Sequence, residues 1–187
     1  MNTTTKIAAV CLVLALGGCS TVSPSAYSYS TASQSEADFI STNYKAADQL
    51  LALAAPKLPK GAVVIMATLV NIDALENSST LGRGVSEQIT TRFSQAGYSM
   101  VEMKFRDSVY MKRNEGELML TREISQLART HNANAVIVGT YAEAGSAVFI
   151  NLKVIDPTNN LVMAAMDYAL PMTGDVRSLL GKRPQRF

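Results

Sequence analysis

Apolar residues within positions 36–172 recur with two different periods, and each period predicts a type of element. Spacings of three and four residues, which place side chains on one face of a helix, occur in three segments. These segments begin near Ser35, Leu81 and Thr121. Short apolar runs bounded by turn residues predict five strands: Ala62–Val70, Tyr98–Lys104, Ala135–Ala142, Ala147–Ile155 and Leu161–Leu170.

The order of these elements predicts how the strands pair. The first two connections between strands pass through helices, which favours parallel neighbours. The last strands are joined by short, turn-rich linkers and should be antiparallel. The sequence therefore predicts a single compact α/β sandwich over residues 36–172, with a mixed sheet of about five strands and about three helices.

The N-terminal segment, residues 1–18, has the pattern of a secretion signal. A start that contains Lys6 precedes the ten-residue apolar run IAAVCLVLAL, which is too short to span a bilayer but typical of a signal-peptide core. The following LGGCS, residues 16–20, resembles the bacterial lipoprotein signal, in which cleavage leaves a lipidated cysteine as the new N-terminus. By this resemblance Cys19 is the lipid anchor. The alternatives are a plain secretory signal with an incidental cysteine, or a buried helix.

Lipidation of Cys19 has consequences for chemistry and location. Cys11 leaves with the signal, so the mature chain has one acylated thiol and forms no intramolecular disulfide. Several acyl chains anchor a protein stably, since each buried CH₂ contributes about 0.8 kcal/mol. Ser20, rather than Asp, follows the cysteine. In lipoproteins with this type of signal, that implies the outer membrane, here with the folded domain on the periplasmic side.

The segments on either side of the predicted domain differ from it in composition. Residues 19–35 are expected to be a flexible tether, because nine of the sixteen residues in Ser20–Ser35 are Ser or Thr and such a segment buries too little apolar surface to order the chain. It would span roughly 20–25 Å on average. Residues 173–187 are a basic tail that we expect to be loosely structured. The formal net charge is only +2, which argues against nucleic acid as a partner.

The stretch SSTLGRGVSEQI, residues 78–89, is the first candidate for chemistry. It places two glycines and Arg83 at a helix entrance, where anions bind. A phosphate-binding loop would need Lys followed by Ser or Thr after Gly84, or a third glycine, and neither is present. The better interpretation is a capped helix entry whose glycines lie in a frayed first turn or permit close packing. Arg83 is kept as a candidate contact for an acidic partner.

The remaining candidate catalytic groups do not form a recognisable set. His131 is the only imidazole, and its position predicts the C-terminal end of a helix, where a cation is favoured. The carboxylate pairs Asp73 with Glu76 and Glu115 with Glu117 could in principle support hydrolysis, but their polar surroundings favour solvated surface charge. A single histidine and an acylated cysteine provide neither a nucleophile–base pair nor a metal site. We therefore expect no enzymatic activity, no catalytic residue and no cofactor.

Six segments of the chain match a known family in order and spacing: FISTNYKAADQL at 39–50, TLVNIDALENSSTLGRGVSEQI at 68–89, GYSMVEMKFRDSVYM at 97–111, NEGELMLTREISQLA at 114–128, NANAVIVGTYA at 132–142 and NLKVIDPTNNLVMAA at 151–165. Together they resemble the FlgO family of flagellar outer-membrane lipoproteins. The resemblance covers about residues 39–172. It implies a non-enzymatic protein that supports flagellar assembly or stability and motility. It carries over no catalytic residues, and only Cys19 has a defined role.

The expected partners are the outer membrane, through the acyl chains, and other flagellar basal-body or outer-membrane-associated proteins; oligomerisation is left open. The predicted fold also resembles small α/β domains of other envelope proteins, among them peptidoglycan-synthase activator lipoproteins and a curli secretion lipoprotein. The alternative function is therefore an envelope accessory lipoprotein that binds a secretion or cell-wall synthesis partner. The short tether disfavours the cell-wall role, because such an activator must reach across the periplasm.

Overall fold

The computed structural model describes residues 30–103 and 122–182. Cys19, most of the predicted tether, the pair Glu115 and Glu117, and the end of the basic tail lie outside these ranges. The described elements are α1 (Ser30–Ala54), β1 (Val63–Ala67), β2 (Val70–Asn71), α2 (Thr80–Gln95), β3 (Ser99–Met103), α3 (Arg122–Thr130), β4 (Ala135–Glu143), β5 (Ala147–Ile155), β6 (Val162–Pro171) and α4 (Gly174–Leu179).

The six strands form one mixed sheet, which confirms the predicted α/β class. The strand order is β3-β1-β4-β5-β6, and the two-residue β2 pairs with β4. The strands β1, β3 and β4, whose connections pass through helices, are parallel, as are β2 and β4. The hairpins β4–β5 and β5–β6 are antiparallel. The predicted pairing pattern is therefore confirmed, with one short strand and one short helix more than expected.

The two faces of the sheet are covered to different extents. The main core lies between one face and the helices α1, α2 and α4, and includes Leu50, Phe93 and Val176. A smaller core lies between the other face and α3, where Ile124 and Ala128 pack against residues of β1, β4 and β5. Among the described residues, α3 is the only helix that contributes to this second core. No helix of the described residues is long and apolar enough to cross a bilayer.

The predicted strand Ala62–Val70 is interrupted at Leu69, for a reason that lies in its backbone hydrogen bonds. The Leu69 N–H donates to Ser86 Oγ (2.9 Å), and its carbonyl accepts from Ser78 Oγ (2.7 Å). Both backbone groups are thus satisfied by serines at the start of α2 rather than by a neighbouring strand. The Leu69 side chain is fully buried and lies against Gly139 of β4. The apolar run is continuous in sequence, but the strand ladder is not.

The helix boundaries differ from the prediction at both ends of the domain. Helix α1 begins at Ser30, five residues before the predicted cap Ser35, and the intervening STASQ contains no Gly or Pro to stop it. Helix α4 lies in the predicted tail and was not anticipated. Its N-cap is Thr173, whose side chain accepts from the Val176 N–H. Gly97 adopts φ +91°, which confirms its predicted position just beyond α2.

A buried polar network joins α1 to α2 and to β6. Asn43 of α1 has no exposed surface, and its amide donates to Gln88 Oε1 of α2 (2.6 Å). Its carbonyl oxygen accepts from the Tyr168 hydroxyl of β6 (2.6 Å). Burial raises the pKa of the Tyr168 phenol above its usual value. Because a buried amide without partners is costly, these bonds favour one position of α1 on the sheet.

Charged contacts lie at the margins of α1. The Arg92 guanidinium of α2 binds both carboxylate oxygens of Asp48, at 2.6 and 3.0 Å, and lies 5.9 Å from the ring centroid of Tyr44. The hydrogen bond to Asp48 raises the pKa of Arg92 above its usual value. Beyond the end of α1, Lys57 Nζ donates to the Met163 carbonyl of β6 (2.9 Å). These contacts are solvent-exposed, so they orient α1 more than they stabilise it.

We predict that Tyr168→Phe destabilises the protein by about 1–3 kcal/mol at neutral pH, because it leaves the buried Asn43 oxygen without its donor. Folding raises the pKa of this phenol, so the stability it contributes is present below its unfolded pKa of about 10 and is lost as pH rises above that value. The variant should therefore lose less stability than the wild type when pH is raised from neutrality to beyond 10. Urea unfolding across this range measures both effects.

The double variant Asn43→Ala/Tyr168→Phe is the control for this network. The double variant should lose less unfolding free energy than the sum of the losses in the two single variants, because either change alone leaves the other partner unsatisfied. Additive costs would show that the two residues do not act together.

Candidate functional site

The entrance to α2 contains the predicted site residue Arg83, and its local geometry follows from three serines. Ser79 is the N-cap: its side chain accepts from the Gly82 N–H (3.2 Å). Ser78 binds the Leu69 carbonyl, as described above. Ser86 lies one turn further along, where its hydroxyl both accepts from the Leu69 N–H and donates to the Gly82 carbonyl (2.9 Å). The predicted capped helix entry is confirmed, with Ser79 as the cap.

The two glycines of this entrance have different roles. A Cβ atom at Gly82 would lie 2.5 Å from the Leu69 carbonyl oxygen, 2.8 Å from Ser78 Oγ and 3.1 Å from the Tyr141 ring. At Gly84 a Cβ would meet no atom within 4 Å. Gly82 therefore permits the close approach of α2 to the end of β1, whereas Gly84 faces open space.

This geometry argues against an anion cradle at the α2 entrance. In a phosphate-binding loop, glycine lets the backbone approach the phosphate, but here Gly82 approaches a carbonyl oxygen, which would repel an anion. Arg83 is exposed, and its guanidinium donates to the Thr80 hydroxyl one turn earlier (3.1 Å). The entrance thus presents one cation to solvent, which suits contact with an acidic partner surface.

The other sequence-predicted candidates are not brought together. His131 follows the last residue of α3, as predicted, and its backbone N–H donates to the Leu127 carbonyl (3.0 Å). Its side chain is exposed and takes no part in the core. Asp73 and Glu76 are both exposed in the loop after β2, near the opposite end of the sheet. Within the described residues there is no group of three metal-ligating side chains.

Two exposed apolar residues were missed by the sequence analysis. Ile72 follows β2, and Phe149 lies in β5; their exposed fractions are 53% and 56%. The run AVFINLKVI is apolar at nearly every position, so its period is hard to read. The signal lies in Asn151 and Lys153, whose alternation marks the face to which Phe149 also belongs.

The fold defines the chain as a small α/β domain with α1, α2 and α4 on one face of a mixed sheet and α3 on the other. It is similar to the LpoB C-terminal domain from Salmonella enterica, at 14% identity and a TM-score of 0.52, with 71% of this chain and 98% of that chain covered. The LpoB C-terminal domain from Escherichia coli gives 13% identity, a TM-score of 0.50 and the same coverage. At such identities the likeness is one of fold.

The chain belongs to the FlgO family. The sequence model of that family, described as FlgO protein, matches residues 44–175, which is most of the described domain. A comparison with curated protein sequences gives no match. The match includes the α2 entrance and both hairpins.

We predict opposite effects for alanine at the two glycines of the α2 entrance. Gly82→Ala should destabilise the protein by about 1–3 kcal/mol, because its methyl group would overlap a backbone carbonyl. Gly84→Ala is the matched control; it should be neutral or stabilise by up to about 1 kcal/mol, because alanine favours the helix and meets no atom. Urea unfolding of the mature chain carrying Cys19→Ser measures both. Equal destabilisation by the two variants would contradict the close packing at Gly82.

Proposed function

We propose that this protein is an outer-membrane lipoprotein of the flagellar apparatus, and that it supports flagellar stability or assembly, and thereby motility, without catalysis. The observation that carries the proposal is membership of the FlgO family over residues 44–175. The lipoprotein-type signal that ends at Cys19 supports the location. The domain would lie on the periplasmic side of the outer membrane and bind other basal-body or outer-membrane-associated proteins.

A binding role, rather than an enzymatic one, is supported by the positions of the titratable groups. His131 lies next to the segment whose Asn134 N–H donates to the Val63 carbonyl, at the amino end of β1. Asp73 follows β2, beyond the carboxyl end of β1. An acid and a base must lie within hydrogen-bonding reach of the same substrate atoms, and these groups lie at opposite ends of the sheet. The proposal therefore assigns no catalytic residue and no cofactor.

A second candidate function is that of an envelope accessory lipoprotein that binds a secretion or cell-wall synthesis partner. The observation that favours it is the fold shared with almost the whole LpoB C-terminal domain. Cross-linking in intact cells, followed by identification of the captured proteins, distinguishes the two candidates. Capture of flagellar basal-body proteins supports the first, and capture confined to cell-wall synthases or secretion proteins supports the second.

Deletion of the gene should reduce swimming motility and give unstable or incompletely assembled flagella. The measurement is swimming speed and electron microscopy of flagella, with restoration by the wild-type gene as the control. A deletion strain with normal motility and normal flagella would refute the proposed flagellar role.

Replacing the anchor residue tests the location. Cys19→Ser removes the thiol that acyl chains would modify, so the protein should leave the outer-membrane fraction and appear in the soluble periplasmic fraction. Membrane fractionation followed by immunoblotting measures this. If the variant still fractionates with the outer membrane, the acyl chains are not its main anchor.

Arg83 is the residue proposed to contact a partner. Arg83→Ala should lower motility while leaving the unfolding free energy within about 0.5 kcal/mol of wild type, because the side chain is exposed. Arg129→Ala, at the exposed end of α3, is the matched control and should retain full motility. Equal motility in both variants would exclude a special role for Arg83.

A further inference from the structure

The helix pair on the sheet fixes the end of the domain at which the N-terminal segment departs. Asn43 of α1 binds Gln88 of α2, and Asp48 binds Arg92. The sequence numbers of both partners rise together, so the two helices run in the same direction. The first turn of α2 packs against Leu69 and Tyr141, at the carboxyl ends of β1 and β4. Helix α1 therefore also begins toward this end of the sheet, which we call the proximal end.

The chain between the anchor and α1 is short. Helix α1 begins at Ser30, so ten residues, 20–29, separate Cys19 from it. Ten residues span at most about 33–36 Å. The strand β5 has nine residues and is itself about 30 Å long. An anchor at Cys19 thus holds the proximal end within about 33–36 Å, whereas the distal end, which contains the β5–β6 turn at residues 156–161, can lie a further strand length away.

Exposed apolar side chains lie at the proximal end of the sheet. Ile72 directly follows β2, and its backbone N–H donates to the Tyr141 carbonyl near the end of β4. Ala142 pairs with Phe149, and Phe149 pairs with Ala169. Ala142, Phe149 and Ala169 thus form a row across the sheet on the face opposite α1 and α2, and Ile72 lies in the turn after β2 at the same end. The side chains of Ile72 and Phe149 are both more than half exposed.

The charged residues at the proximal end have mixed signs and do not select an anionic partner. Arg83 and Arg177 are exposed at the proximal end, and Lys182 pairs with Glu143 (2.6 Å). Asp73 and Glu76 are exposed in the loop beside Ile72. A mixed set of charges around exposed Ile and Phe suits the zwitterionic headgroup region of a bilayer, where apolar side chains reach the acyl boundary and polar ones stay hydrated.

We propose that the proximal end of the domain rests on the phospholipid surface to which Cys19 is anchored, with Ile72 and Phe149 at the boundary between headgroups and acyl chains. This inference rests on the proposed lipid anchor. The distal end also exposes an apolar side chain, Leu161 at 64%. Exposed apolar side chains alone therefore do not show which end of the domain contacts the membrane. The proximal end is proposed because the anchored chain enters α1 there.

The experiment uses the lipidated mature protein in phosphatidylcholine vesicles. Since the only cysteine of the mature chain is acylated, Ile72→Cys and Leu161→Cys each provide a single reactive thiol for an environment-sensitive NBD fluorophore. The fluorophore at position 72 should be blue-shifted and quenched several-fold more strongly by brominated lipids than the fluorophore at position 161. Phe149→Cys provides a second proximal position in case Ile72→Cys fails to fold, as judged by circular dichroism.

The outcomes separate this inference from the proposed function. If the protein floats with the vesicles but position 72 is no more quenched than position 161, the anchor is real and the membrane contact is refuted; a protein partner on the apolar row would give this result. Stronger quenching at position 161 would also overturn the inference. If the mature protein carries no acyl chains and does not float, both the lipid-anchored function and the inference fail.

Discussion

The structure depends first on the way the backbone of Leu69 is held. Its N–H and carbonyl bind the hydroxyls of Ser86 and Ser78, both in or next to α2, while its side chain is buried on Gly139. These contacts can form only because Gly82 lets the first turn of α2 approach the Leu69 carbonyl. The end of β1, the start of α2 and the centre of β4 are therefore positioned by one set of contacts.

The position of α1 is determined separately, by a buried amide. Helix propensity and an apolar stripe would allow α1 to rotate or slide, since apolar packing alone tolerates small shifts. The bonds from Asn43 to Gln88 and Tyr168 are directional and buried, so displacement of α1 would leave polar groups unsatisfied. The interior thus uses one polar network to select among otherwise similar apolar packings.

The sequence predicted the class of the fold, the three longer helices, the five longer strands and the direction in which those strands pair, because these follow from periodicity and connection length. It did not predict the short elements β2 and α4. It did not predict the break at Leu69, since the apolar run is continuous and the serines that interrupt it lie 9 and 17 residues further along the chain. Phe149 was missed because most positions of β5 are apolar, and only Asn151 and Lys153 distinguish its exposed face. The start of α1 was placed too late, because Ser35 is a good cap in a segment that also permits a longer helix.

For the candidate site, sequence reasoning gave the position but not the geometry. The absence of a Lys or a third glycine excluded a phosphate loop, and the structure adds that Gly82 faces a carbonyl oxygen. The exposure of Arg83 could be anticipated because it lies outside the apolar stripe of α2, which includes Leu81, Val85 and Ile89. The pairing of Asn43 with Tyr168, which are 125 residues apart, had no local signal, since a single Asn in an amphipathic helix is usually solvated.

The contact between Lys57 and Met163 would have a consequence if the proposed anchor holds the protein in the plane of a membrane. Strand β6 is an edge of the sheet, and edge strands offer unpaired backbone groups to neighbouring molecules. Confinement to a membrane raises the local concentration of such edges and aligns the molecules that carry them. An ammonium group on an outward carbonyl of β6 places a hydrated positive charge where a second strand would have to approach, so crowding on the membrane need not lead to sheet-to-sheet aggregation.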